Sequence, residues 1–146
     1  MFKKIIVGVD FSENSQRAAR TATQLARALD AEVVLVHVYS PGAEYEFIDA
    51  PRDAAHELRP LLESRLRGLA EAYVKSSGAK VDWGVVDGRP AQEVAVFAER
   101  WGGDLIVAGT AGRAGVTRAL LGSVTDTLLR EAKVPVLVVG PDAVLP

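Results

Sequence analysis

A glycine-rich stretch near the C-terminal end has the residue types and spacing best suited to binding chemistry. Its pattern, Gly-x2-Gly-x9-Gly-Ser, is formed by Gly109, Gly112, Gly122 and Ser123, with a further glycine at Gly115. Glycine permits positive φ angles and close approach of the backbone, so successive N–H groups of such a loop can point at one anion. A helix that begins at Gly122-Ser123 adds unpaired N–H groups and the positive end of its dipole. The stretch therefore predicts a phosphate-binding loop, with the Ser123 and Thr125 hydroxyls as further donors.

This loop differs from two common nucleotide-binding motifs. A Walker A loop requires Gly-Lys-Ser/Thr, which the sequence lacks. The dinucleotide fingerprint requires glycines directly after the first strand, where this chain has Asp10. In open α/β sheets, ligands bind at the carboxyl ends of strands where the strand order reverses. Asp10 and the loop at Gly109, each of which follows an apolar run, are therefore the first candidates for a site.

Composition restricts the class of protein. The chain has 146 residues, which suits a single domain over 1–146, and its 49 % hydrophobic and 25 % charged residues are ordinary for a globular protein. The net charge of −2 gives no basic excess to attract a nucleic-acid backbone. The absence of cysteine excludes disulfides, thiol catalysis and zinc–thiolate sites. The first apolar run is too short for a signal peptide and no run is long enough to span a membrane, so we expect a cytoplasmic protein.

Apolar runs and helical patterns alternate along the chain. The runs predicted to be strands are Ile5–Val9, Glu32–Val38, Lys80–Val86, Asp104–Ala108 and Val134–Val139. Several are apolar almost continuously, as in parallel strands buried on both faces. Between them we expect helices, with Ser12 as the N-cap of the first and Pro60 in the first turn of the second. The alternation predicts a doubly wound α/β fold with a parallel sheet and helices on both faces.

Residues 40–57 form the one long irregular stretch of the sequence. A stretch of this length between a strand and a helix is either a functional flap or a mobile connection, and the residues leave both interpretations open.

Together these features resemble the universal stress protein family, and in particular its ATP-binding branch. That branch carries Gly-x2-Gly-x9-Gly-Ser/Thr, which this chain matches in full. The similarity extends to Lys4–Ser12 around the first strand, to Val34–Val38 in the second, and to Ala132–Val139 at the end. It therefore covers nearly the whole chain apart from residues 40–57.

The resemblance implies a five-stranded parallel sheet of order 3-2-1-4-5, in which the first and fourth strands are neighbours where the order reverses. Asp10, with Gly8 and Val9, would contact the nucleoside at its ribose or base. The backbone of Val38 would bind the adenine edge. The residues implied to surround the ribose and phosphates are Gly109, Thr110, Ala111, Gly112, Arg113, Gly115, Gly122, Ser123, Val124 and Thr125. The implied ligand is ATP with Mg²⁺ or Mn²⁺, and no catalytic residue is implied.

Simpler structural roles compete with these assignments. Asp10 could be only a turn residue or a helix cap, and the glycines could make a tight turn. Ser123 could be an N-cap with Asp126 completing a capping box, a role compatible with phosphate binding. His37 lies in an apolar strand and is typical of a hydrogen-bonded core histidine rather than a catalyst. Phe97 and Trp101 are expected to pack in the core.

The last apolar run predicts how the chain associates. Pro135 has no N–H group to donate to a neighbouring strand, so this strand is expected at a sheet edge. An exposed apolar edge favours aggregation unless something covers it. In the family this strand pairs across a two-fold axis, so the resemblance implies a homodimer through residues 134–139.

Two functions fit these observations. The first is a binding module, in which ATP stabilises one state of the protein that signalling partners sense during stress. The second is an enzyme, a slow ATPase or a self-phosphorylating protein with Ser123 or Thr125 as acceptor. Efficient phosphoryl transfer requires a positioned base and a charge-stabilising cation, and no motif supplies that set. A nucleotide-free interaction protein is a third interpretation, which the intact glycine motif disfavours.

Overall fold

The computed structural model describes residues 1–40, 55–111 and 121–145. The strands are β1 (Lys4–Gly8), β2 (Glu32–Tyr39), β3 (Lys80–Asp87), β4 (Leu105–Gly109) and β5 (Val136–Val139). The helices are α1 (Glu13–Leu29), α2 (Ala55–Ser77), α3 (Pro90–Arg100) and α4 (Ser123–Glu131). Residues 41–54 of the irregular stretch lie outside the described residues, so both interpretations of it stay predictions.

The five strands form one parallel sheet of order β3-β2-β1-β4-β5, which confirms the predicted fold. Ile6 of β1 lies opposite Val34 on β2 and Ile106 on β4. All three side chains are buried, as their continuously apolar sequences predict for central parallel strands. The order reverses between β1 and β4, so the carboxyl ends of these two strands lie side by side.

Three strands are displaced or shortened relative to the predicted ranges. Asp104, expected to begin the fourth strand, instead accepts the Lys3 and Lys4 N–H groups with its carboxylate at 2.7 and 3.1 Å. The strand therefore begins at Leu105 and extends to Gly109. The fifth begins only at Val136, after Pro135, and β1 is shifted to Lys4–Gly8.

The second helix begins earlier than Pro60 predicted. It starts at Ala55, so Pro60 lies inside the helix rather than in its first turn. A proline at this position removes the bond that its own N–H would have made to the carbonyl of residue 56, and its ring crowds the same carbonyl. The prediction was wrong because an apolar face that includes Leu58 extends the helix towards its N-terminus.

Side chains of the central strands alternate between two apolar layers. Ile5 and Val7 pack on the face covered by α1 and α2, whereas Ile6 packs on the face covered by α3 and α4. The first face receives Ala18 and Ala22 of α1, whose small side chains let that helix lie close to the sheet. Helices therefore cover both faces, as predicted.

Phe97 and Trp101 stack with ring centroids 4.8 Å apart, but they differ in burial. Phe97 is 6 % exposed and belongs to the core. Trp101 follows the last turn of α3 and is 41 % exposed, so the prediction that it packs in the core is wrong.

Tyr73 joins the two helices on the first face. Its hydroxyl donates to the Gln16 carbonyl at 3.4 Å, which ties α2 to α1. Burial raises the pKa of Tyr73 above its ordinary value, so the hydroxyl keeps its proton and its donor role at neutral pH.

Across the described residues, none of the helices combines the length and apolarity needed to cross a membrane.

Leu62 and Leu61 are neighbours in α2 with opposite environments. Leu62 is fully buried, whereas Leu61 is 47 % exposed. We expect Leu62→Ala to lower the free energy of unfolding by about 2–5 kcal/mol, because it removes buried methyl groups and leaves a cavity. Leu61→Ala is expected to change it by less than about 1 kcal/mol. Guanidinium denaturation measures both, and equal losses would contradict the burial of this face.

Candidate functional site

The turn between β1 and α1 positions Asp10. The Val9 N–H donates to the Val36 carbonyl at 2.8 Å, so the chain stays in register with β2 until it leaves the sheet. Asp10 Oδ1 then accepts the Ser12 N–H at 2.9 Å in an Asx turn at the carboxyl end of β1. The Ser12 hydroxyl accepts the Ser15 N–H at 3.2 Å, which confirms Ser12 as the N-cap of α1. Asp10 is therefore the turn residue and not the helix cap.

β2 extends beyond the end of β1 and brings Val38 to the same edge of the sheet. The last paired residues of the two strands are Gly8 and Val36, but β2 continues to Tyr39. Backbone groups two residues apart in a strand point to the same side, so those of Val38 face the space beyond β1. Val38 as a whole is 8 % exposed, and its backbone is the part that the family resemblance assigns to the adenine edge.

β4 ends against the first turn of α1. A Cβ atom added to Gly109 would lie 2.8 Å from the carbonyl oxygen of Asn14, closer than real Cβ atoms approach. This close contact is with the protein's own helix, so the predicted approach of the Gly109 backbone to an anion stays a prediction. Gly109 does not have a positive φ, so the close contact and not the backbone conformation requires glycine here.

The start of α4 presents unpaired backbone N–H groups. Gly122 is the N-cap, with φ −65°, ψ 156° and no side chain to cap the helix. The Asp126 N–H donates to the Gly122 carbonyl at 2.9 Å, and the Gly122 N–H donates to the Thr110 carbonyl at 2.7 Å. The N–H groups that have no acceptor within the helix are those of Ser123, Val124 and Thr125. This end of α4 is therefore suited to bind an anion.

Ser123 is the first residue of α4 and not its N-cap, so the predicted capping box is wrong. The N-cap is Gly122, so a capping box would need an acidic or amide side chain at position 125. Asp126 lies one residue beyond that position. Asp126 instead pairs with Arg130, at 3.3 Å, one turn along the helix. Ser123 itself is exposed, which leaves its hydroxyl at the surface beside the unpaired N–H groups.

Thr125 ties the start of α4 to the end of β4. Its hydroxyl donates to the Gly109 carbonyl at 2.6 Å, and the residue is 5 % exposed. A hydroxyl has one proton, so the side chain in this position does not donate to a phosphate, contrary to the sequence expectation. The backbone N–H is then the group that Thr125 offers to a ligand.

These contacts assemble one site from distant segments. The Asp10 turn leads into α1, whose Asn14 touches Gly109, and Gly109 in turn binds Thr125. Gly112, Arg113 and Gly115 lie outside the described residues, so their roles stay predictions. Thr110 and Ala111 continue the chain directly after β4, and the Thr110 carbonyl anchors Gly122.

His37 is a core residue beneath the Asp10 turn. The side chain is fully buried, and its Nδ1 lies 2.6 Å from the Val9 carbonyl oxygen. A carbonyl oxygen only accepts, so Nδ1 carries the proton. The prediction of a hydrogen-bonded core histidine is confirmed.

The sequence did not indicate Asn14 or Phe11 as residues that shape the site. Asn14 contacts Gly109 only in the folded sheet, where β4 pairs with β1. The sequence around Asn14 therefore does not indicate this contact. Phe11 has a positive φ of 65°, which is unusual for a bulky side chain and has no sequence signature here.

The close approach of Gly109 to Asn14 predicts the effect of a single added methyl group. Gly109→Ala is expected to lower the free energy of unfolding by about 1–3 kcal/mol, because the helix backbone has to move. Gly68→Ala is the matched control. Gly68 lies inside α2 with no atom within 4 Å of its added Cβ, so alanine there should stabilise the protein by up to about 1 kcal/mol. Thermal denaturation without nucleotide measures both, and an unaffected Gly109→Ala variant would disprove the contact.

Comparison with known proteins agrees with this architecture. The sequence profile of the universal stress protein family matches residues 1–140. The universal stress protein MJ0531 of Methanocaldococcus jannaschii is 37 % identical over 145 residues, which cover 95 % of this chain and 82 % of that protein. A universal stress protein of Thermus aquaticus, from the 3′ region of QAH/OAS sulfhydrylase, is 34 % identical over 139 residues, covering 95 % and 99 %.

One similar structure is a crystal structure of a universal stress protein in complex with cAMP. It superposes with a TM-score of 0.72 at 28 % identity, and the match covers 95 % of this chain and 97 % of that chain. The profile match, the identity to these relatives and the shared sheet together show that the chain belongs to the universal stress protein family.

Proposed function

We propose that this protein binds ATP at the carboxyl ends of β1 and β4 and acts as a nucleotide-dependent regulatory module in the stress response. The observation that carries the proposal is the start of α4, where three backbone N–H groups have no partner in the helix and no side chain caps them. The Thr125–Gly109 bond fixes these groups beside β4, next to the Asp10 turn.

The two helices that begin at this edge differ in a way that orients the nucleotide. The N-terminus of α1 is capped by the Ser12 side chain, whereas both helices carry an acidic residue in the first turn, Glu13 in α1 and Asp126 in α4. The N-terminus of α4 has no side-chain cap. The uncapped end offers an anion more unpaired N–H groups, and the charge of Asp126 is paired with Arg130, so we place the phosphates at α4 and the nucleoside beside Asp10 and Val38.

Two further observations support an adenine nucleotide. A similar family member, 28 % identical to this chain, was crystallised in complex with cAMP. The intact Gly-x2-Gly-x9-Gly-Ser spacing is the pattern that the resemblance associates with ATP. We therefore assign the chain to the ATP-binding branch, as one domain over residues 1–146 that works in the cytoplasm, where ATP is made and consumed.

Mg²⁺ or Mn²⁺ would accompany the triphosphate. No group of three or more His, Cys, Asp or Glu within residues 1–40, 55–111 and 121–145 could hold a metal ion. Mg²⁺ in nucleotide sites is usually held by phosphate oxygens, waters and one or two carboxylates. Because Asp10 is assigned to the nucleoside, phosphate oxygens and waters would hold the cation, which would neutralise phosphate charge.

Ser123→Glu tests the position of the phosphates. An acidic residue in the first turn of α4 complements the helix dipole, so the fold should keep its stability. The same charge would repel the phosphate chain and is expected to weaken ATP affinity by about tenfold or more. Calorimetric titration with Mg-ATP and a thermal melt measure the two effects.

Gln24→Glu is the matched control, because it adds one negative charge at an exposed position of α1 away from the site. Unchanged ATP affinity in Ser123→Glu would refute the phosphate position.

Labelled ATP should be retained by the wild-type protein with negligible phosphate release. Turnover above roughly one per minute, lost in Asp10→Ala, would instead favour the slow ATPase.

We also propose a homodimer through residues 134–139, because the two sheet edges differ in the described residues. At the β3 edge, Arg59 donates to the Val85 carbonyl at 2.6 Å and Asp82 accepts the Trp83 N–H at 2.8 Å. These backbone groups are thus already bonded. β5 pairs only with β4 and leaves Leu137 40 % exposed, which suits a second copy.

Leu137→Lys is expected to shift the dimer towards monomer, because it places a charge in the apolar edge that the second copy would cover. Light scattering at micromolar concentration gives the mass. Leu61→Lys, at a similarly exposed leucine of α2, should leave the dimer intact. A wild-type mass near a single chain would count against the dimer.

A further inference from the structure

Phe11 has a backbone conformation that its residue type disfavours. Its φ of 65° lies in the left-handed region, where a side chain crowds its own backbone and where glycine or asparagine is usual. Phe11 stands between Asp10 and Ser12, so this conformation directs the chain through the Asx turn that holds the Asp10 carboxylate. A bulky residue persists in such a conformation only when its surroundings compensate.

The compensation comes from contacts to the Phe11 ring. The ring lies 4.8 Å from the His37 ring, centroid to centroid, at a tilt of 42°. The guanidinium carbon of Arg65, on α2, lies 4.1 Å from the Phe11 centroid, which is cation–π geometry. We refer to Phe11, His37 and Arg65 as the Phe11 cluster.

The same cluster holds both neighbours of Asp10. His37 donates from Nδ1 to the Val9 carbonyl, 2.6 Å away, which fixes the residue before Asp10. Its ring also supports Phe11, the residue after Asp10. The Gln16 side chain adds a bond to the Phe11 carbonyl at 3.2 Å. Asp10 is therefore held from both sides by contacts that reach β2, α1 and α2.

We propose that Phe11 and Arg65 are positioning residues for the nucleotide site: by holding the left-handed turn, they keep the Asp10 carboxylate directed at the nucleoside. This inference rests on the proposed ATP site and assigns to α2 a role in that site. Arg65 is exposed and covers the Phe11 ring, so removing its charge should loosen the turn without opening the core.

Arg65→Met tests the proposal, because it keeps an apolar stem of similar length and removes the cation. If only part of the population then keeps the turn, the apparent ATP affinity falls in proportion to that fraction. We expect a loss of about three- to fivefold, with the melting temperature nearly unchanged. Arg65→Lys keeps a cation over the ring and should restore most of the affinity.

Arg67→Met is the matched control, since it removes the same charge from an exposed position two residues along α2 that has no ring contact among the described residues. Its ATP affinity should equal that of the wild-type protein.

A double-mutant cycle with Asp10→Asn separates positioning from a general structural effect. Asparagine can still accept the Ser12 N–H, so the turn persists while the carboxylate charge is lost. If Arg65 acts through Asp10, Arg65→Met should cost little further affinity in the Asp10→Asn background. Equal losses in both backgrounds, or no loss in either, would overturn this inference alone. A wild-type protein that binds no ATP would overturn the proposed function and this inference with it.

Discussion

The backbone of Gly109 lies against the first turn of α1, and this contact determines where the site forms. Because no Cβ fits beside the Asn14 carbonyl, the end of β4 can approach the start of α1 only with glycine. The Gly109 carbonyl then accepts the Thr125 hydroxyl at 2.6 Å, which fixes the start of α4 at the same place. One glycine thus joins the elements that carry the carboxylate and the unpaired N–H groups. Gly109 of the glycine motif therefore meets a packing requirement of the protein itself.

The two helices that begin at this junction differ in how their N-termini are capped. Both α1 and α4 begin at the reversal point of the strand order and both carry an acidic residue in the first turn, but a side chain, that of Ser12, caps only α1. Gly122, the N-cap of α4, has no side chain with which to cap the helix. The Thr110 carbonyl accepts a hydrogen bond from the Gly122 N–H and from none of the three N–H groups that follow it. The remaining N–H groups stay available to an anion because the helix offers them no acceptor.

The site also depends on elements that never touch the proposed phosphate position. Phe11 keeps a strained turn because His37 and Arg65 contact its ring, so β2 and α2 contribute to the placement of Asp10. At the far edge of the sheet, Arg59 and Asp82 bond backbone groups of β3, which leaves β5 as the edge suited to pairing. Hydrogen bonds between side chains and the backbone thus determine which edge of the sheet keeps backbone groups available for pairing with another strand.

The sequence by itself determined the parallel sheet and its covering helices, because continuous apolar runs and helical spacing are local patterns. It also placed Asp10 and Gly109 at strand ends, and the family resemblance supplied the strand order that the structure confirms. Only the tertiary structure decided that Thr125 binds Gly109 rather than pointing to a ligand, and that Gly122 and not Ser123 caps α4. The tertiary structure alone revealed the roles of Asn14 and Arg65, because each contacts a residue distant in sequence, Gly109 and Phe11 respectively. The spacing of neighbouring residues in the sequence does not indicate contacts of this kind.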